Sequence, residues 1–211
     1  MKGRILRDRL ATALLWACMG TTLAILGGIL LFLVVRGAGT LSWEFFTQPP
    51  RDSMTKGGIS TPLVGTIQLV FVAMAFAFPV GVLTAVYLNE YAREDRFTKL
   101  LRLAVRSLAG VPSVVFGLFG LSFFVIFLKF GSSLLSAGLT LGCLALPVIV
   151  GASEAALKAV PQDYRDASYA MGATRWQTIR KVVLPAAFPA ILTGGILSVG
   201  RVAGETAPII F

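Results

Sequence analysis

An all-α, polytopic bundle of transmembrane helices is the fold class this sequence predicts, and three observations predict it. Of the 211 residues, 56% are apolar and only 14% charged, with a mean hydropathy of +0.81. A soluble domain of this size could not bury so much apolar surface in one core. The apolar residues gather into five stretches, at 10–35, 63–88, 107–128, 134–152 and 186–211. Each has about the length a helix needs to cross ~30 Å of hydrocarbon. The basic residues gather in alternate connections, so the net charge of +9 reads as membrane orientation rather than nucleic-acid binding.

The first stretch, Leu10–Val35, follows Lys2, Arg4, Arg7 and Arg9. Cys18 invites comparison with a lipoprotein cleavage site. However, bulky Trp16 stands where a small residue is needed and the apolar run continues to Val35, so the segment reads as an anchor. Cys18 and Cys143, both inside apolar runs, read as packing thiols. Pro79 and Gly81 fall in the second stretch, Leu63–Leu88, and Gly117 and Gly120 in the third, Ser107–Leu128. The fourth, Leu134–Ala152, is the shortest and holds Gly138, Gly142 and Pro147, where a kink is expected. Small residues inside spans let neighbouring helices approach closely. The fifth runs from Ala186 to Phe211.

The second connection carries Arg93, Arg96, Lys99, Arg102 and Arg106, and the fourth carries Lys158, Arg165, Arg175, Arg180 and Lys181. The first holds only Arg36, Arg51 and Lys56, and the third only Lys129. That alternation fits five antiparallel spans with a cytoplasmic N-terminus. The chain reads as a single transmembrane domain over 1–211. It stops at Pro208-Ile209-Ile210-Phe211 without a flanking charge, so a further C-terminal span is expected.

Residues 153–185 are too polar to span and too long for a turn. Ala167, Ala170 and Met171 recur at helical spacing, Gly172 can end a helix, and Trp176, Ile179, Val182 and Val183 supply a second apolar face before Pro185. The pattern predicts a short helix, a bend, and a second helix leading into the fifth span. Such a loop can lie on a membrane surface or enter a groove of another protein, and periodicity does not choose.

Arg201 and Glu205 stand inside the apolar fifth stretch, where ionised groups are costly and normally serve a function. Four-residue spacing places them on one helix face. They read as a self-neutralising pair, as an arginine snorkelling to the outer interface, or as an anion pathway in which the guanidinium fork meets an oxyanion. No histidine is present, which excludes a histidine-based metal site or proton relay, and neither metal nor cofactor is expected. No G-x-x-x-x-G-K-[ST] loop occurs either, so ATP hydrolysis by P-loop chemistry is expected on a separate subunit, and no catalytic residue is assigned.

Two runs carry a family resemblance. Asp166-Ala167-Ser168, three residues, Gly172, nine residues, then Val182-Val183-Leu184-Pro185 resembles the E-A-A-x-x-x-G … I-x-L-P motif of bacterial ABC importer permeases, with Asp for Glu, Ser for Ala and Val for Ile. The resemblance implies a coupling loop over 153–185 that docks on a cytoplasmic ATPase through Asp166, Ala167, Ser168 and Gly172, with Leu184 and Pro185 closing the motif. The run from Arg201 to Pro208 resembles the R-A-x-G-E-T-A-P signature of phosphate-specific, Pst-type permeases. Gly57-Gly58-Ile59, Val64-Gly65-Thr66 and the segment from Leu108 to Gly120 are similar to the PstA-type half more than to the PstC-type half.

The resemblance implies a six-span permease subunit of an ATP-driven phosphate importer in the bacterial inner membrane. Arg201, Glu205 and, more weakly, Thr206 would line its substrate pathway, and Ser113 is a further hydroxyl to weigh against simple backbone bonding. It also implies a PstC-like second permease subunit, two cytoplasmic ATPase subunits, a periplasmic or extracellular phosphate-binding protein, and surrounding lipid. Competing readings are an ABC permease for sulfate or molybdate, a secondary transporter or channel without an ATPase, and a non-transporting truncated product.

Overall fold

The computed structural model describes residues 2–52, 56–93 and 95–209, and the described residues fall into two units, 1–62 and 63–211. Ile210 and Phe211, the end of the expected fifth span, lie outside the described residues, as do the side chains of Lys2 and Arg4.

In the first unit α1 (Lys2–Gly37) is a single long helix. Its apolar span has no buried residue, as befits a helix whose solvent is lipid. A 3₁₀ turn (Ala38–Thr40) and the short α2 (Trp43–Thr47) follow, α2 being N-capped by the Ser42 hydroxyl, which accepts from the Phe45 N–H. A two-residue hairpin, β1 (Pro50–Arg51) against β2 (Lys56–Gly57), brings Gly58 against α2. There the Ile59 N–H donates to the Phe45 carbonyl at 2.8 Å. A Cβ on Gly58 would lie 2.1 Å from that same carbonyl oxygen, so no other residue fits without a shift. The Gly57-Gly58-Ile59 run is therefore a close-approach loop.

In the second unit α3 (Ser60–Val86, entering the unit at Leu63) ends in a π-helical turn over Tyr87–Tyr91. Next come α4 (Arg96–Ala109), α5 (Ser113–Gly120) with a π-helical continuation to Phe127, and α6 (Leu134–Ala159). The loop helices α7 (Gln162–Ala170) and α8 (Arg175–Thr178) precede a π-helical turn (Ile179–Val183) and α9 (Leu184–Gly204). Helix α6 is the hub. Ala73 and Ala77 of α3 meet Leu141, Ala145 and Ile149 of α6 and Val202 of α9 in one buried cluster, and Ala85, Leu157, Ile179, Val183 and Ile191 form a second towards the loop end.

Four helical stretches are long and apolar enough to cross a membrane, and a fifth span results if the bent pair α4–α5 counts as one. The polytopic all-α bundle stands, with three boundaries moved. The third span was expected from Ser107, but Ser107–Ala109 finish α4, and the chain turns by 103° before α5. Gly110 and Pro112 account for the break, since Pro112 disfavours helix in the residue before it. Helix α6 runs through Pro147 to Ala159 instead of stopping at Ala152. The fifth helix ends at Gly204, because Pro208 would set its ring against the Gly204 carbonyl and has no N–H to pair with it.

Candidate functional site

Residues 153–159 of the expected loop finish α6; the remainder forms the expected short helix, bend and second helix, and three local devices fix it. Gly172 takes φ +78, and the Gly172 N–H donates to the Tyr169 carbonyl at 2.9 Å while the Ala173 N–H donates to the Ser168 carbonyl at 3.2 Å. This is a glycine-terminated helix end with both expected bonds. Thr174 then opens α8 with a capping box: its hydroxyl accepts from the Gln177 N–H, and the Gln177 side chain accepts from the Thr174 N–H at 2.8 Å. Finally, the Ser168 and Thr178 hydroxyls share a hydrogen bond of 2.9 Å, tying α7 to the end of α8.

Ile179 and Val183 of the expected second apolar face are buried, whereas Ala167, Ala170, Trp176 and Met171 (87% exposed) face outward. Asp166 is exposed and accepts from the Gln162 amide at 3.2 Å. Leu184 packs against the loop-end cluster and Pro185 lies at the surface. Of the motif, then, Asp166, Ala167 and Gly172 are outward, while Ser168 and Leu184 hold the loop together.

Sequence reasoning missed what anchors the loop. Arg165 and Glu90, 9% and 6% exposed at their side chains, form a buried ion pair at 2.8 Å. Arg165 Nε also reaches Glu90 Oε2 at 3.4 Å, and its terminal nitrogens donate to the Val160 and Leu157 carbonyls at 2.9 and 3.0 Å. The Asn89 amide donates to Glu90 Oε1. Arg175 donates to the Glu90 carbonyl and stands 5.0 Å over the Tyr91 ring. Alongside, Arg102 pairs with Glu154 and donates to the Leu88 carbonyl, and Lys158 reaches Glu154 at 2.8 Å. Arg102, Arg165 and Arg175, read as orientation charges, thus join the ends of α3, α4 and α6 to the loop. The available signal was Glu90, an acid closing an apolar stretch at an otherwise basic end.

At the far end of α9, Arg201 and Glu205 are brought together, with Nε to Oε1 at 3.7 Å and side chains 44% and 19% exposed. They do not share a continuous helix. Arg201 is in the last turn, and Glu205 is the C-cap, with extended backbone and its N–H donating to the Val202 carbonyl at 3.3 Å. A cation in the last turn suits the helix dipole; a carboxylate there does not, and Arg201 offsets it. Val202 points into the core and fixes this end against α3 and α6, leaving Arg201 on the outer side. Thr206 is exposed, and Pro208 of the terminal 3₁₀ turn is buried. Ser113 is the half-buried first residue of α5, apart from this end of α9 in sequence and element. One helical stretch, Arg175–Gly204, carries the loop at its start and Arg201 near its end. Among the described residues no cluster of potential metal ligands occurs.

The chain resembles known proteins in sequence and in fold. Residues 77–211 match the family described as "Binding-protein-dependent transport system inner membrane component". The chain is 36% identical to the "Probable ABC transporter permease protein YqgI" of Bacillus subtilis, over 99% of its own length and 71% of that protein's. It is 38% identical to the "Phosphate transport system permease protein PstA 1" of Mycobacterium tuberculosis, over 98% of its length and 69% of that protein's. Among solved structures it resembles an inward-facing MetNI methionine ABC transporter, with a TM-score of 0.64 and 25% identity over 69% of this chain and 70% of that one.

Proposed function

This chain belongs to the binding-protein-dependent transport system inner membrane components, and from that premise we propose that it is the permease subunit of an ATP-driven importer of inorganic phosphate. The observation that carries the reading is the single helical stretch Arg175–Gly204, with an anchored, outward-facing loop at one end and Arg201–Glu205 at the other. From Arg175 to Arg201 it extends about 40 Å at 1.5 Å per residue. A displacement of the loop is therefore delivered along one rod to the guanidinium.

In this reading the N-terminus is cytoplasmic, and the exposed side of α7 (Asp166, Ala167) with Gly172 meets an ATPase subunit, one of two. Residues 153–185 act as the coupling loop of a single permease domain. A PstC-like second subunit completes the pathway, and a binding protein delivers phosphate to the opposite face. Closure of the ATPases pushes the loop; the Arg165–Glu90 and Arg102–Glu154 pairs carry the push into α3, α4 and α6 as well as α9. Arg201, held at 3.7 Å by Glu205, is free enough to exchange its carboxylate for a passing oxyanion. Thr206 lies beside it as a hydroxyl donor. The identity to phosphate permeases over nearly the whole chain favours phosphate over sulfate or molybdate.

Radiolabelled phosphate uptake by the complete transporter tests this. Arg201→Gln is expected to cut uptake at least about tenfold with the ATPase still copurifying, and Gly172→Asp to lose the copurifying ATPase. Preserved uptake in Arg201→Gln removes the pathway role. Uptake that persists with a hydrolysis-dead ATPase favours a secondary transporter, and equal uptake of sulfate or molybdate removes the substrate assignment.

A further inference from the structure

Arg102 apart, the residues of helix α4 are assigned to neither the pathway nor the coupling loop, and they are divided more sharply than those of any spanning helix. It carries Arg96, Lys99, Arg102 and Arg106 and no acid. At 100° per residue its inward line is Thr98, Leu101, Arg102 and Val105, all buried or half-buried. One flank presents Phe97, Leu100, Ala104 and Leu108, and the other Lys99 and Arg106, all exposed. Arg96, Leu103 and Ser107 are on the outermost line between them.

Helix α6 acts as a ruler for the direction of these flanks. Leu108 shares an apolar groove of about 370 Å³ with Val115 and Phe119 of α5 and Cys143 and Leu146 of α6. Arg106 of the other flank, with inward-facing Arg102, shares a second cavity with Pro147, Val150, Gly151 and Glu154 of α6. The α6 lining of this cavity begins where that of the groove ends and reaches Glu154, roughly 12 Å beyond Leu146, towards the loop end. The apolar flank therefore looks along the spans into the bilayer, and the basic flank looks out of it. The 103° turn between α4 and α5 sets α4 nearly across the span it leads into, as a helix lying in the membrane plane requires.

We propose that α4 lies in the headgroup layer, where Lys99 and Arg106, with Arg96, hold anionic phospholipid headgroups while an acyl chain fills the Leu108–Val115–Phe119–Cys143 groove. Charge complementarity selects the occupant: Lys99 and Arg106 have no ion-pair partner among the described residues, a zwitterionic headgroup's phosphate is already balanced by its own cation, and an anionic surface attracts each of them. The groove's lining, among the described residues, is Leu, Val, Phe and Cys side chains, suited to hydrocarbon.

A tryptophan at Phe97 provides the test. The complete transporter with Phe97→Trp is reconstituted at fixed lipid composition, with the brominated lipid being either phosphatidylglycerol or phosphatidylcholine. Emission is read as the difference from the unsubstituted transporter, because Trp16, Trp43 and Trp176 contribute a background. Both lipids are expected to quench, brominated phosphatidylglycerol about fivefold more effectively at equal mole fraction. The preference should vanish in Phe97→Trp with Lys99→Gln and Arg106→Gln and weaken at high salt, and free inorganic phosphate at matched ionic strength should not displace it. A nitroxide on Leu100→Cys, with Cys18 and Cys143 replaced by Ala, should be reached by oxygen rather than by a water-soluble relaxant. Quenching by neither lipid, which would mean that protein covers the flank, overturns the proposal. So does equal quenching by the two lipids, or a preference that survives Lys99→Gln with Arg106→Gln.

Discussion

Glu90 and Arg165 are two charges removed from solvent, and each costs several kcal/mol to bury unless fully partnered. Here they are partnered: two contacts join them, Arg165 serves two carbonyls, and Asn89 serves the carboxylate. Removing one partner strands the other. Glu90→Gln or Arg165→Met is expected to cost about 3–5 kcal/mol, read as a lower unfolding temperature of the purified transporter. Glu90→Gln combined with Arg165→Met should recover part of the loss. The swap Glu90→Arg with Arg165→Glu should not, because a carboxylate at 165 would face the Val160 and Leu157 carbonyls that now accept from the guanidinium. This pair was not legible in the sequence. Its members are 75 positions apart, and no periodicity links an acid closing one helix to a base in a later loop. Arg201 and Glu205 were legible because charge inside an apolar run is conspicuous, but their geometry was not: Pro208, three residues on, ends the helix that was expected to carry both. At Arg201 a lysine keeps the charge and loses the planar fork, so Arg201→Lys should restore less than half of phosphate uptake while leaving the unfolding temperature unchanged.

At the scale of elements, Gly172 separates conformational cost from packing. It adopts φ +78, and a Cβ there would meet nothing within 4 Å. Gly172→Ala should therefore destabilise the α7–α8 turn by only about 1–2 kcal/mol, through backbone strain alone, and Gly172→Asn by less, since Asn tolerates this conformation. Amide exchange across 162–178 measures both, with ATPase copurification retained in each. This turn could be read from spacing because glycine and the Thr174–Gln177 box are local signals. Helix α4 could have been read the same way, from Asp95 ahead of a helix-period apolar pattern, but its four basic residues were absorbed into an orientation argument. The Asp95 carboxyl accepts from the Thr98 N–H at 2.8 Å, and that bond, first among its causes, holds its pKa below the usual 3.8. The cap is thus fully present above pH 3.8 and is lost only as pH falls through the lower folded value. The first turn of α4 should show unchanged amide protection from pH 5 to 8 and fray with Asp95→Ala at all of these values, while Asp95→Asn should retain it.

Across the whole molecule, lipid supplies no hydrophobic drive between helices, so close packing has to hold the spans together. Small residues allow it at the seams. A Cβ on Gly120 would fall 2.0 Å from Thr140 Oγ1, one on Gly194 2.5 Å from the Ala152 Cβ, and one on Gly195 2.8 Å from the Phe78 ring. Thr140 is β-branched and its hydroxyl already donates to the Ser136 carbonyl at 2.8 Å, so it cannot swing aside cheaply. Gly200 and Gly204 differ: a Cβ on either meets nothing within 4 Å. They lie on the same end of α9 as Arg201, the end assigned to the substrate pathway. The two groups of glycines should therefore part in their phenotypes. Gly120→Ala and Gly194→Ala should lose about 1–3 kcal/mol through overpacking, and any loss of uptake should follow their lowered unfolding temperature. Gly204→Ala should leave that temperature unchanged, so a fall in phosphate uptake there would arise at the pathway and not from the fold. Equal unfolding temperatures for Gly120→Ala and Gly204→Ala would contradict the seam at α5 and α6 and, with it, the rigid bundle through which the loop is taken to move Arg201.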